Sequence, residues 1–163
     1  MNQPKLENRQ AQPYLGIRTS VKVKEIGRVL PPLHSQIADW MELRGIQPSG
    51  ALFFRYLVIG LEELEMEVGV PVEKAVPGQG VIRAEALPAG CYAILLHTGP
   101  FSGLRDATQS LLEWAEKKGI EWQMGIAGDS EAWEARLENY LNVGLEKNPE
   151  KWETELAFLT ADA

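Results

Sequence analysis

The sequence has almost none of the residues that most metal and redox chemistry requires. It has one cysteine, Cys91, so no intramolecular disulfide can form. It has two histidines, His34 and His97. That set cannot build a Cys/His zinc cage within one chain, and no metal or cofactor is expected. An excess of basic charge is missing too: 16 Lys and Arg stand against 23 Asp and Glu, a formal charge of −7. A general nucleic-acid binder needs a basic face to neutralise phosphates, so that class is disfavoured. Attraction of cationic ligands is compatible with the charge. No run approaches the ~18 apolar residues of a membrane span. The start, Met1-Asn2-Gln3-Pro4-Lys5, leads into polar sequence rather than an apolar signal core. The expected compartment is the cytoplasm. The motifs G-x-S-x-G, H-E-x-x-H and the P-loop are absent. Gly78-Gln79-Gly80 lacks the third glycine of a dinucleotide loop and, with Pro77, reads as a linker.

What is present is a repeat. The stretch KLENRQAQPYLGIR from Lys5 aligns with RAEALPAGCYAILL from Arg83 at an offset of 78, matching Glu7 to Glu85, Ala11 to Ala89 and Tyr14 to Tyr92. Trp40 to Ile46 aligns with Trp114 to Ile120 at an offset of 74. Tyr56 to Glu62 aligns with Tyr140 to Glu146 at an offset of 84. Three blocks thus occur in the same order in two halves, and the four tyrosines fall into two matched pairs.

The same unit is legible in each half. Tyr14 to Val23 and Tyr92 to His97 are rich in β-formers. Leu33, Ile37 and Trp40, then Leu104, Ala107, Leu111 and Ala115, recur at helical spacing, with Gly45 and Gly119 as stops. Pro31-Pro32 belongs near the first helix's start or kinks it. Ala51 to Ile59 with Glu65 to Val72, and Trp133 to Leu141 with Glu153 to Leu159, read as strand pairs. The expectation is α+β: two pseudo-twofold strand-helix-strand-strand repeats, at about 5–72 and 83–160, within one domain over 1–163. Antiparallel sheets would carry helices on one face, with a ligand groove between the halves. Strand alternation groups Ala135, Leu137 and Leu141 on one face, expected to pack on helices, and Arg136, Glu138 and Tyr140 on the other. The offset of 84 brings Phe54 and Tyr56 to the positions of Glu138 and Tyr140. Phe54, Tyr56, Glu138 and Tyr140 are therefore the candidate ligand-binding residues. Trp40 and Trp114 read as core, Trp133 and Trp152 as candidates for the groove rim. Cys91 reads as a small strand residue, and His97 as bonding the turn that follows it.

Several segments resemble the GyrI-like superfamily, the effector-binding domain of AraC-type and multidrug-sensing transcription regulators. They are Glu65 to Val72, Leu87 to Ala93, His97-Thr98-Gly99-Pro100-Phe101, Leu137 to Asn142, and Trp152 to Leu156. The resemblance spans about Lys5 to Ala161. It implies the duplicated fold and the binding of small apolar, often cationic molecules in the groove. It also implies that Glu138 is the ligand-facing acid, with Tyr140 beside it. Unlike the family's regulators, the chain shows no helix-turn-helix segment, so direct DNA binding is not expected. The leading expectation is a stand-alone protein that captures or senses apolar, cationic or amphiphilic compounds, without catalysis. The alternatives are a hydrolase of reactive xenobiotics using Glu138 and Tyr140, and a gyrase-inhibitor-type module with an unidentified protein partner.

The charge balance yields one expected outcome. The purified protein should give no salt-dependent gel shift with double-stranded DNA near physiological ionic strength.

Overall fold

A computed structural model describes residues 2–161. The first half runs β1 (Lys5–Arg9), β2 (Gln12–Lys22), α1 (Ile26–Leu43), β3 (Phe53–Ile59) and β4 (Glu63–Pro71). The second runs β5 (Arg83–Leu87), β6 (Gly90–Thr98), α2 (Leu104–Lys117), a hairpin of β7 (Met124–Ala127) and β8 (Ser130–Trp133), then β9 (Arg136–Tyr140) and β10 (Glu153–Leu159). Both helices stop in the same way. Gly45 at φ 67° and Gly119 at φ 70° take the left-handed conformation that side chains resist. Ile46 N–H then bonds Met41 O at 3.0 Å, and Ile120 N–H bonds Ala115 O at 2.9 Å. Each is a Schellman closure, and the two lie at the offset of 74 read from the sequence.

The strands form one sheet in the order β1-β6-β10-β9-β3-β4-β2-β5, with β8 also pairing β3. Exchanging each strand for its counterpart in the other half reverses this order onto itself. The halves interlock, since β1 pairs only with β6 and β5 only with β2. The connections also force curvature. β1 and β2 stand six strand spacings apart, ~29 Å in a flat sheet. Only Gln10 and Ala11 join them, a reach of at most ~11 Å. β5 and β6 face the same conflict with only Pro88 and Ala89 between them. A curled sheet resolves both.

Strand alternation sorts the core into two faces. Leu15, Ile17, Met66 and Val68 pack with Leu30, Ile37 and Met41 of α1. Ala93, Leu95, Leu156 and Phe158 pack with Leu111 of α2. The reverse face, inside the curl, collects Tyr14, Phe53, Tyr92, Ile94, Leu137 and Leu159 without a helix residue. This corrects the expected packing of β9. Ala135 and Leu137 lie in the reverse-face cluster, and Leu141 borders a cavity on that side. Arg136, Glu138 and Tyr140 share the helix face. The reading failed because a sheet curled on itself buries its second face without any helix to cover it.

Each half also begins with a strand that hydrophobic alternation did not reveal. β1 is mostly polar and β5 is short and mostly exposed, as suits the two ends of a sheet. The β7–β8 hairpin was missed as well, and Trp133 closes β8 rather than opening β9. The segment around Gly78 is a turn pinned to α1, where Arg44 donates to Gln79 Oε1 at 2.6 Å.

One close approach fixes the register of the centre. A Cβ on Gly69 would lie 2.3 Å from the Phe53 ring, which covers it across the β3–β4 pair. Phe53 is itself 1% exposed and cannot yield. Gly69→Ala is therefore expected to cost about 1–3 kcal/mol, the usual penalty of overpacking. Urea denaturation of the variant against the parent measures it.

Candidate functional site

α1 packs on β2 and β4, and α2 packs on β6. The central pair β3–β9 is left as a floor between the helices. Above it lies a groove of about 1270 Å³ bounded by both helices. All four sequence-predicted residues, Phe54, Tyr56, Glu138 and Tyr140, line it.

Phe54 and Glu138 are direct cross-strand partners, the middle rung of the β3–β9 pairing. They are also repeat counterparts at the offset of 84. In an antiparallel pair, a residue facing its own counterpart marks the point where the halves exchange. To one side Tyr140 N–H bonds Leu52 O at 3.0 Å. To the other, the Arg136 guanidinium lies 5.7 Å from the Tyr56 ring centre. The floor is thus divided: Leu52, Phe54 and Tyr56 come from the first half, and Arg136, Glu138 and Tyr140 from the second. Phe54 meets Tyr140 edge to face at 4.9 Å. Phe101, at the start of the turn leading into α2, meets Tyr140 at 5.5 Å and Trp152 at 4.7 Å.

Glu138 is 9% exposed. Burial raises its carboxyl above the ordinary range, against the stabilising effects of the Tyr140 and Tyr56 hydroxyls and Arg136. The Tyr140 hydroxyl donates to Glu138 Oε1 at 2.6 Å. Burial first, then the neighbouring carboxylate, push both tyrosines well above their usual value. They remain neutral donors. Arg136 is drawn down by burial, offset by Tyr56, Glu131 and Glu138.

The walls were not identified in the sequence, although a signal was there. Gly27, Pro31, His34 and Ser35 of α1 face the groove. So do Phe101, Arg105, Thr108 and Gln109 at the α2 end. The two sets are matched by the offset of 74 that aligns Trp40 with Trp114. Each helix has a second stripe beside the one that packs on the sheet. Trp40 and Trp114 are partly buried against the core. Trp133 is 5% exposed and belongs to the core, not the rim. Trp152 reaches the groove only through Phe101. His97 is held to the backbone of the following turn, Nε2 to Pro100 O at 2.9 Å. Cys91 is a half-buried strand residue. Among the described residues, no cluster of three His, Cys, Asp or Glu could hold a metal ion. No described helix is long and apolar enough to cross a membrane.

The raised carboxyl of Glu138 sets a direction for stability. A carboxyl raised on folding favours the protonated native state. Its contribution is full below the unfolded value and is lost as pH rises through the folded value. Glu138→Gln removes the charged form, so the variant should be more stable than the parent at pH 7. The difference should shrink as pH falls toward 4. Thermal melts of both proteins across that range measure it.

Comparison with known proteins agrees with this architecture. A search of curated proteins returned no match. Among solved structures, the C-terminal domain of EcmrR superposes with a TM-score of 0.79 at 19% identity, covering 100% of this chain and 99% of that one. In an EcmrR–DNA complex the match covers 99% of this chain but 58% of the EcmrR chain, so this chain spans a little over half that protein's length. SAV2435 bound to tetraphenylphosphonium gives a TM-score of 0.62 at 8% identity, covering 98% and 94% of the two chains. A hydrolase from Listeria innocua gives 0.65 at 11% identity, covering 97% and 91%. At these identities the likeness is one of fold. The sequence itself matches the family of GyrI-like small molecule binding domains over residues 2–159, and this chain belongs to that family.

Proposed function

We propose that the protein binds lipophilic cations and related amphiphiles in the groove between α1 and α2, with Glu138 as the reader of charge. The observation that carries this reading is a buried carboxylate set among rings. Glu138 is 9% exposed, and Phe54, Tyr56, Phe101 and Tyr140 line the same groove. Aromatic faces attract an organic cation by about 0.5–2 kcal/mol each. The carboxylate adds selectivity, because an unpaired buried charge favours a partner of opposite sign. The bound tetraphenylphosphonium in the SAV2435 structure is an apolar cation held by the same fold. The protein acts by capture or sensing, in the cytoplasm, and binds no DNA itself.

A second reading rests on the Tyr140–Glu138 contact. A carboxylate raised by burial, with a neutral phenol donating to it, can serve as a general base toward water. The protein would then hydrolyse reactive small molecules. Turnover of strained or electrophilic substrates, lost in Glu138→Gln, would favour it over capture alone.

Calorimetric titration separates the charge reader from a shape-only site. Tetraphenylphosphonium and neutral triphenylphosphine oxide are the matched probes. Glu138→Gln should weaken the cation by about 1.5–3 kcal/mol, the range for hydrogen bonds to charged groups, and leave the neutral probe nearly unchanged. Equal losses for both, or none, would refute the role given to Glu138.

A further inference from the structure

The reverse face of the sheet holds two versions of one polar cluster, and only one of them is filled from within the chain. In the first half Arg55 pairs with Glu67 across β3–β4. It donates to the Tyr14 hydroxyl at 2.6 Å and to Glu134 O at 2.5 Å, and lies 3.6 Å from Glu67. The counterparts in the second half are Asn139, Glu155 and Tyr92. Asn139 follows Arg55 at the offset of 84, and Tyr92 follows Tyr14 at 78. Asn139 pairs with Glu155 across β9–β10, the matching rung.

Asn139 is too short to repeat what Arg55 does. Its Nδ2 donates to Glu155 Oε1 at 3.0 Å. Tyr92 donates to Pro88 O at 2.6 Å rather than to the carboxylate. Asn139, Glu155 and Tyr92 all border a cavity of about 350 Å³, within the size range of small-molecule sites. Its other walls are mainly apolar, with Phe53, Leu87, Leu137 and Leu141 among them. It lies behind the groove, because Leu137, Asn139 and Leu141 alternate along the chain with Glu138 and Tyr140.

The free valences around this cavity are mostly acceptors. Asn139 turns Nδ2 to a carboxylate, so its Oδ1 points away, and among the described residues no group donates to it. The Tyr92 oxygen donates once and can still accept. Gln12 spends Nε2 on Pro13 O and Val72 O, both at 2.9 Å, which leaves Oε1. The charge is also one cation short. Arg9 donates to both Glu7 and Glu155, so two carboxylates share one guanidinium.

We propose that this cavity is a second binding site, for a small apolar molecule that ends in an amidinium or guanidinium. Its head takes the role that the Arg55 guanidinium has in the twin cluster, donating to the Tyr92 hydroxyl and Asn139 Oδ1. Glu155 attracts it while staying bonded to Arg9. Its apolar part lies against Phe53, Leu87, Leu137 and Leu141. The inference is independent of the reading given to the groove.

Benzamidine is the probe, a phenyl ring carrying a planar fork of N–H donors. Calorimetric titration of the whole chain should show one saturable site, with benzoate weaker by about tenfold or more. Asn139→Arg restores the arrangement of the first half and fills the space. It should keep the parent's circular dichroism and weaken benzamidine by about tenfold or more. Absent benzamidine binding, or undiminished binding in the folded variant, overturns the proposal. So does benzoate binding as tightly as benzamidine. Displacement of benzamidine by tetraphenylphosphonium also overturns it, because the probe would then sit in the groove. Should Asn139→Arg fail to fold, the parent protein decides. Its Asn139 Nδ2–H resonances, assigned with Asn139→Ser, should shift with benzamidine and stay in place with benzoate. Resonances unmoved by benzamidine overturn the second site.

Discussion

The pairing of Phe54 with Glu138 is the contact on which the rest of the molecule turns. It is the middle rung between the two halves, and it joins counterparts of the repeat. The sheet order reads outward from it in both directions. Each helix packs on strands away from it, so this rung is left open between them. The rung that no helix packs on carries a carboxylate on one strand and a phenyl ring on the other. A duplicated chain tends to produce a symmetric floor. Here the symmetry of the backbone is kept and the symmetry of the chemistry is not. An apolar row and a charged row lie side by side, which suits a ligand with one apolar and one polar end.

The reverse face shows what the same ingredients do without a cavity. Tyr14, Glu67 and Arg55 also combine a phenol, a carboxylate and a guanidinium. Tyr14 donates to Glu67, and Arg55 donates to the Tyr14 hydroxyl at 2.6 Å and to Glu134 O at 2.5 Å. Glu67 is 4% exposed, and burial raises its carboxyl too. The phenol, the guanidinium and the carboxylate partner one another within the chain, and the cluster ties β2, β3 and β4 together. Burial and a displaced titration therefore do not by themselves make a site. Glu138 differs because its open side faces about 1270 Å³ of space lined with rings.

Much of this was readable before any coordinates. Period-two alternation assigned Glu138 and Tyr140 to one face of β9, and the offset of 84 brought Phe54 and Tyr56 to them. The helix stops at Gly45 and Gly119 were equally plain. Three things were hidden for physical reasons. β1 and β5 end the sheet, each only five residues long and mostly exposed, with just Leu6 in β1 and two small alanines and one leucine in β5, so no strong hydrophobic rhythm marks them. The helices' second stripe carries Pro31, His34, Arg105 and Thr108. These are too polar to register as a packing face, although the offset of 74 pairs them. The direction of β9 was inverted because the curl buries the reverse face of the sheet. That curl depends on two-residue connections between strands whose distance apart is a property of the whole topology, not of any local window.

The curl also explains why so polar a centre is tolerated. A flat sheet with helices spaced along one face would bury β3–β9 against them, and Glu138 would need a permanent partner as Glu67 has. Bending the sheet round Tyr14, Phe53, Tyr92 and Leu137 places the core's closure on the reverse side. The helix face is freed from having to seal at its middle. Core stability then rests on the clusters beneath each helix and inside the curl, and Phe54 of the rung itself packs against the first of them. The unfavourable burial of Glu138 is borne by a scaffold that is tied together elsewhere, by β1 on β6 and β5 on β2. Interlocked halves hold the groove open, and the open groove lets a charged residue sit at the point of exchange between them.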